Sequence, residues 1–296
     1  MQKGRPEQGQ CSMGMASVFY DVLNKIVIDS GIHPRRTSER QSAEDHLQFS
    51  NINDLVLFDR GYVAFWLYAY LLEQNISFCM RAKTNQSLLI KDFIKSGKRE
   101  SIVTFYANKT SIKTCEEKGL STKPIRLRLV RVDLPNEVEV LVTSLMDQEL
   151  YDYSIFKSLY HLRWGIEENY KRLKQWVEIE NFSGKSALSV KQDFYAKIVA
   201  SNLTTLMEIQ AQELVDKRTR YLKRRYQINY AQALSKMKHR IVSLIINKSG
   251  DVVALIKQTV EYLSRTIEAV RGGRSYPRKL KGIKNDIHFP AYKSSL

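Results

Sequence analysis

Four residues at helical spacing stand out for the chemistry they could do. Tyr160, Arg163, Glu167 and Lys174 lie in the stretch YHLRWGIEENYKRLK. Its wealth of Leu, Glu, Lys and Arg and its lack of proline predict one helix over residues 160–174. Steps of three, four and seven residues put all four side chains on one stripe. A carboxylate there can hold a divalent cation, and a phenol, a guanidinium and an ammonium can grip phosphate oxygens. Leu159, Leu162, Ile166, Leu173 and Val177 predict an apolar stripe beside it, facing a core. The competing reading of the same spacing is a solvated face, in which Arg163–Glu167 and Glu167–Lys171 are ordinary i,i+4 ion pairs.

Such a helix needs elements to place it. The run LVLFD (55–59) is apolar and ends in Asp59, as expected of a buried strand that delivers a carboxylate at its C-terminal end, where α/β sheets set their sites. A helix is expected over 63–74 and a further buried strand over 76–83. Upstream, MASVFYDVL (15–23) and KIVIDSG (25–31) predict a hairpin turning at Asn24–Lys25. A short helix is expected at about 42–49, and residues 1–14 read as loop.

From about 84 to 150, ESIVTFYA, PIRLRLVRVDL and VEVLVTSLM alternate with polar turns and predict an antiparallel β subdomain. Within it Arg126, Arg128 and Arg131 alternate with Ile125, Leu127 and Leu129. One sheet face is therefore expected to be cationic, either as a charge-protected edge or as a DNA-facing surface. Beyond the signature helix come a polar loop (181–186) and a helix (about 190–212). Then Lys217, Arg218, Arg220, Lys223, Arg224 and Arg225 are interleaved with Tyr221, Tyr226 and Tyr230. That mixture suits phosphate contact with stacking, or else a solvated helix. A helix at about 251–270 precedes a cationic tail punctuated by Gly and Pro.

Composition narrows the class. The 296 residues carry 47 Lys and Arg against 31 Asp and Glu, a net charge of +16, which points to a polyanionic partner, nucleic acid before membrane. No apolar run is long enough for a membrane span, and a cytoplasmic, nucleoid-associated protein is expected. Cys11, Cys79 and Cys115 are widely spaced and indicate neither a disulfide framework nor a zinc site.

The pattern Tyr160-(2)-Arg163-(3)-Glu167-(6)-Lys174, together with FDRGY at 58–62, resembles the DDE transposases of bacterial insertion sequences, insertion sequence family four. The resemblance spans about 16–185. It implies an α/β, RNase H-like core whose three acids hold Mg²⁺ for hydrolysis at the element end and attack by the freed 3′-hydroxyl. Asp59 matches the second acid and Glu167 the third, both as metal ligands, while Tyr160, Arg163 and Lys174 match phosphate-contacting positions. The first acid belongs to a strand preceding the hairpin, and no residue here takes its role. Asp21 and Asp29 fall on later strands.

The expectation is thus an N-terminally truncated transposase, inactive as an isolated chain and lacking the first strand of its core. Its parts would be 1–83 and 151–212 (core), 84–150 (β-rich insertion) and 213–296 (basic helical region). The expected partner is double-stranded DNA of transposon ends, with a homodimer or a heterodimer with full-length transposase. The rival is a non-catalytic DNA-binding or inhibitory fragment.

Overall fold

The computed structural model describes residues 14–135, 137–184, 186–246 and 251–271. The cationic tail and all but the last residue of the loop expected at 1–14 lie outside these, apart from Arg271. The chain gathers into two compact units, one of Gly14–Val22 with Ile28–Glu167, the other of Leu23–Val27 with the chain from Glu168.

The expected hairpin, β1 (Gly14–Asp21) and β2 (Ile26–Pro34), is a two-stranded sheet of its own; it opens the first unit except for its turn and the start of β2, which fall within Leu23–Val27. Lys25 in the turn adopts a φ of 58°. Helix α1 (Glu39–Leu47) is tied to the hairpin by the buried His46. Its Nδ1 meets Asp29 Oδ2 at 2.7 Å and its Nε2 meets Ser17 Oγ at 2.8 Å, while Ser17 Oγ also lies 2.9 Å from His33 Nε2. A buried imidazole needs such partners on both nitrogens.

Next come β3 (Leu55–Phe58), α2 (Phe65–Glu73), β4 (Ser77–Ala82), α3 (Leu88–Lys95), β5 (Glu100–Phe105), α4 (Lys109–Glu117), β6 (Ile125–Asp133) and β7 (Val138–Thr143). Five of these strands form one sheet in the order β3-β4-β7-β6-β5. The β3–β4 pair is parallel and the other pairs are antiparallel. The stretch expected to form a β subdomain instead extends the sheet that carries β3, and it includes two helices. Strand alternation sorts the side chains into two cores. Phe58, Phe78, Met80, Leu127, Leu129, Val140 and Val142 pack on one face with α2; Cys79, Val130, Val132, Leu141, Phe156 and Tyr160 pack on the other.

The helix expected over 160–174 is broken. A 3₁₀ turn (Tyr153–Ile155) leads into α5 (Phe156–His161), and α6 starts afresh at Trp164 and runs to Gln175. Between them Leu162 N–H donates to Leu159 O, Arg163 N–H to Tyr160 O and Gly165 N–H to Leu162 O, a tightened i→i+3 pattern. The tighter turn rotates the faces. Tyr160, expected on the polar stripe, is buried, and Leu162, expected on the apolar one, is 41% exposed.

The second unit is mostly helical: α7 (Ala187–Thr219), β8 (Tyr226–Ile228), α8 (Tyr230–Ile246), α9 (Val252–Ser264) and β9 (Ile267–Ala269). Ala211, Val215, Ile228, Ala233, Met237 and Leu263 form its core. The Asn202 amide brackets one peptide, donating to Val27 O at 2.8 Å and accepting from Val27 N at 3.0 Å. The helix expected to reach residue 270 ends at Ser264, and 267–269 pairs with β8. Among the described residues no helix is long and apolar enough to cross a membrane.

Candidate active site

Asp59 follows directly on β3, at the C-terminal end expected of it. A turn fixes its backbone: Tyr62 N–H donates to Asp59 O at 3.1 Å, and the Arg40 Nε–H donates to Gly61 O at 2.9 Å. The Tyr62 ring packs on Phe58 with centroids 5.3 Å apart. Arg60 points into solvent.

Tyr160 ties α5 to that strand tip. It is 6% exposed, and its hydroxyl donates to Phe58 O at 3.1 Å, one residue before Asp59. Burial pushes the phenol well above its ordinary pKa, with the Arg163 charge pulling the other way. The hydroxyl is thus engaged inside the protein and not presented to a ligand.

Arg163 is hydrogen-bonded to one of the two carboxylates and lies within the electrostatic reach of the other. Its Nη2 donates to Glu167 Oε1 at 3.0 Å, and its guanidinium lies 5.7 Å from the Tyr160 ring centroid. Burial works against its charge. The Tyr160 oxygen, the Glu167 hydrogen bond and the charges of Asp59 and Glu167 outweigh that and hold the guanidinium above its ordinary pKa. Arg163 Nε is buried with no hydrogen-bond partner among the described residues. Glu167 is half-exposed, in the first turn of α6, where the positive end of the helix dipole favours a carboxylate.

Lys174, later on α6, is exposed and pairs with Glu180 at 2.8 Å; it belongs to the second unit, while Asp59, Tyr160, Arg163 and Glu167 belong to the first. One neighbour escaped the sequence reading: Arg81 of β4 acts on Tyr160 through its charge while pairing with Glu139 at 2.7 Å. Nothing in its local sequence distinguishes it from a surface arginine.

Carboxylate oxygens are the hard donors that Mg²⁺ takes, so Asp59 and Glu167 suit that ion. Among the described residues no group of three or more His, Cys, Asp or Glu side chains converges to hold a metal. Two carboxylates alone could fill only part of an octahedral sphere, and water or phosphate oxygens would have to fill the rest.

Residues 2–203 match the family described as Transposase DDE domain. The chain is also similar to the Escherichia coli (strain K12) protein named transposase InsG for insertion sequence element IS4, with 23% identity over 251 residues, 83% of this chain and 54% of that protein. The chain thus spans about half the length of the curated relative it matches. With the family match extending over more than half of its residues, the chain belongs to the DDE transposases of the IS4 type.

Proposed function

We propose that Asp59 and Glu167 are two metal-holding acids of a DDE site, and that this chain engages the DNA of transposon ends. The reading is supported by Asp59 at the C-terminal tip of β3 and by Tyr160 and Arg163, which tie the start of α6 to that tip and to Glu167 through the hydrogen bonds to Phe58 O and Glu167 Oε1. A divalent cation held by the two acids would supply an activated water and stabilise the leaving oxygen in phosphodiester cleavage. Arg163 orients Glu167 and offers a cation beside the scissile phosphate. Lys174, in the second unit, suits a phosphate contact of its own, since its exposed pair with Glu180 is cheap to break. Tyr160 contributes by holding α5 against the strand tip and not by touching phosphate.

Two acids do not make the full cage, so the isolated chain binds divalent ions weakly and does not cleave. Mn²⁺ titration of the wild type, Asp59→Asn and Glu167→Gln tests this, beside a Mg²⁺ cleavage assay on transposon-end duplex. The expected result is Mn²⁺ binding that falls by about tenfold or more in each variant, without strand cleavage by any of them. Affinity that neither substitution changes overturns the metal assignment, and cleavage by the wild type overturns the inactivity.

A second reading is favoured by the exposed cations between Lys217 and Arg225. In it the chain is a DNA-binding or inhibitory fragment that pairs with a full-length transposase. DNA affinity untouched by Glu167→Ala, together with a wild type that shows no Mg²⁺-dependent nicking, selects that reading.

A further inference from the structure

The run RLRLVR was expected to give a cationic sheet face, yet Arg128 is 0% exposed. A guanidinium carries five N–H donors in a fixed fork and cannot shed its charge, so burying it demands partners on every side. The structure supplies them. Arg128 Nε donates to Glu100 Oε2 at 2.8 Å, and Nη2 donates to the same oxygen. Nη1 faces three main-chain carbonyls: Tyr151 O at 2.7 Å, Leu145 O at 3.3 Å and Asp147 O at 3.4 Å. The guanidinium carbon lies 5.1 Å from the centroid of the Phe156 ring.

Those three carbonyls belong to the irregular connection between β7 and α5, outside the strand ladders, and of them Asp147 O also accepts from Tyr151 N–H at 3.0 Å. The connection leads directly to Phe156, the first residue of α5, and then to Tyr160 on the Phe58 carbonyl, Arg163 and Glu167. Arg99 reinforces it from outside, donating to Tyr153 OH at 2.7 Å.

We propose that Arg128 is a positioning residue for the candidate site: by gathering the carbonyls of 145, 147 and 151 it fixes where α5 begins, and hence where Glu167 stands relative to Asp59. The proposal rests on the reading of Asp59 and Glu167 as metal ligands. A lysine keeps the charge but offers one compact donor group in place of a planar fork, so it cannot span Glu100 and three carbonyls together.

The test compares wild type, Arg128→Lys and Glu100→Gln by Mn²⁺ titration and by amide hydrogen exchange. Both variants are expected to bind Mn²⁺ about tenfold more weakly, in the range seen when an outer partner of a metal ligand is lost. Amides of 145–167 should exchange faster, while those of β6 and β7 keep their protection. Unchanged Mn²⁺ affinity in a folded variant overturns the proposal. So does a loss of protection spread evenly over the sheet and the connection, which marks Arg128 as general core. Should Arg128→Lys not fold, Glu100→Gln carries the comparison, because without its counter-charge the buried guanidinium is left unneutralised and its hold on the three carbonyls loosens. A wild type that shows no Asp59-dependent Mn²⁺ binding sinks the metal-site reading itself, and the exchange pattern then still judges the clamp.

Discussion

Tyr160 presents the sharpest contrast between what a residue type offers and what its surroundings allow. Its hydroxyl satisfies the Phe58 carbonyl from inside a core, so Tyr160→Phe keeps the ring packing and strands one buried acceptor. A loss of about 1–3 kcal/mol is expected. Urea unfolding measures it, and DNA affinity should stay the same; a variant that is equally stable but binds DNA less tightly would return Tyr160 to the phosphate. A second residue links charge to pH. Burial raises the Glu208 pKa, and the pull of Arg172, 3.7 Å away, and of Lys25 does not cancel it. The folded chain therefore holds this proton to higher pH than the unfolded chain does. Its contribution to stability is full below the ordinary carboxylate range and declines as pH rises through the raised value. Glu208→Gln removes that decline, so the drop in unfolding free energy between about pH 4 and pH 7 should be smaller in the variant. Equal slopes would mean that Glu208 is as well solvated as an unfolded carboxylate.

At the scale of elements, Gly165 decides how closely the end of β1 can approach the start of α6. A Cβ there would meet Val22 Cβ and Cγ1 at 3.3 Å, tighter than ordinary contact. Replacing a helical glycine with alanine gains about 1 kcal/mol in propensity. Overpacking against a branched side chain costs about 1–3 kcal/mol. The second effect is expected to win, and Gly165→Ala should lower the denaturation midpoint; a rise would show that Val22 yields freely. The same helix pair shows what sequence can and cannot convey. Asp59 after a buried strand and Glu167 on a helix were legible because apolar runs and helical periods are local signals. The break at Leu162–Arg163 was not, since His161, Leu162, Arg163 and Trp164 suit one continuous helix as well as two joined by a tight turn. Arg128 was misread for a different reason. Alternation along β6 is what a cationic face would also show, while the partners that reverse the meaning lie 17 to 28 residues away in the chain. The connectivity of 84–150 was hidden in the same way, because strand content does not say which sheet a strand joins.

For the whole molecule the dominant quantity is a net charge of +16, and the useful question is where on the chain it can reach DNA. Lys217, Arg218, Arg220, Lys223, Arg224 and Arg225 are all exposed, in the last turn of α7 and the segment after it. Of the interleaved tyrosines, Tyr221 is 90% exposed, whereas Tyr230 is buried with its ring under Arg172 and against Trp176. Tyr226 is partly buried against the core of the second unit, so among the three tyrosines a DNA strand would find one well-exposed ring beside several exposed cations. If Arg220, Lys223 and Arg224 each neutralise one duplex phosphate, each should account for about 0.9 of the slope of log affinity against log salt concentration. Replacing the three with glutamine should flatten that slope by roughly 2.7. Tyr221→Ala should weaken single-stranded binding by about 1–3 kcal/mol and duplex binding much less, because paired bases leave no face to stack on. Binding isotherms for both DNA forms between about 50 and 200 mM salt measure the two effects separately. A slope that the triple substitution leaves unchanged would place the duplex contacts elsewhere. It would also remove the support that this exposed segment gives to a fragment acting through DNA binding alone, leaving the site around Arg163 as the stronger basis for function.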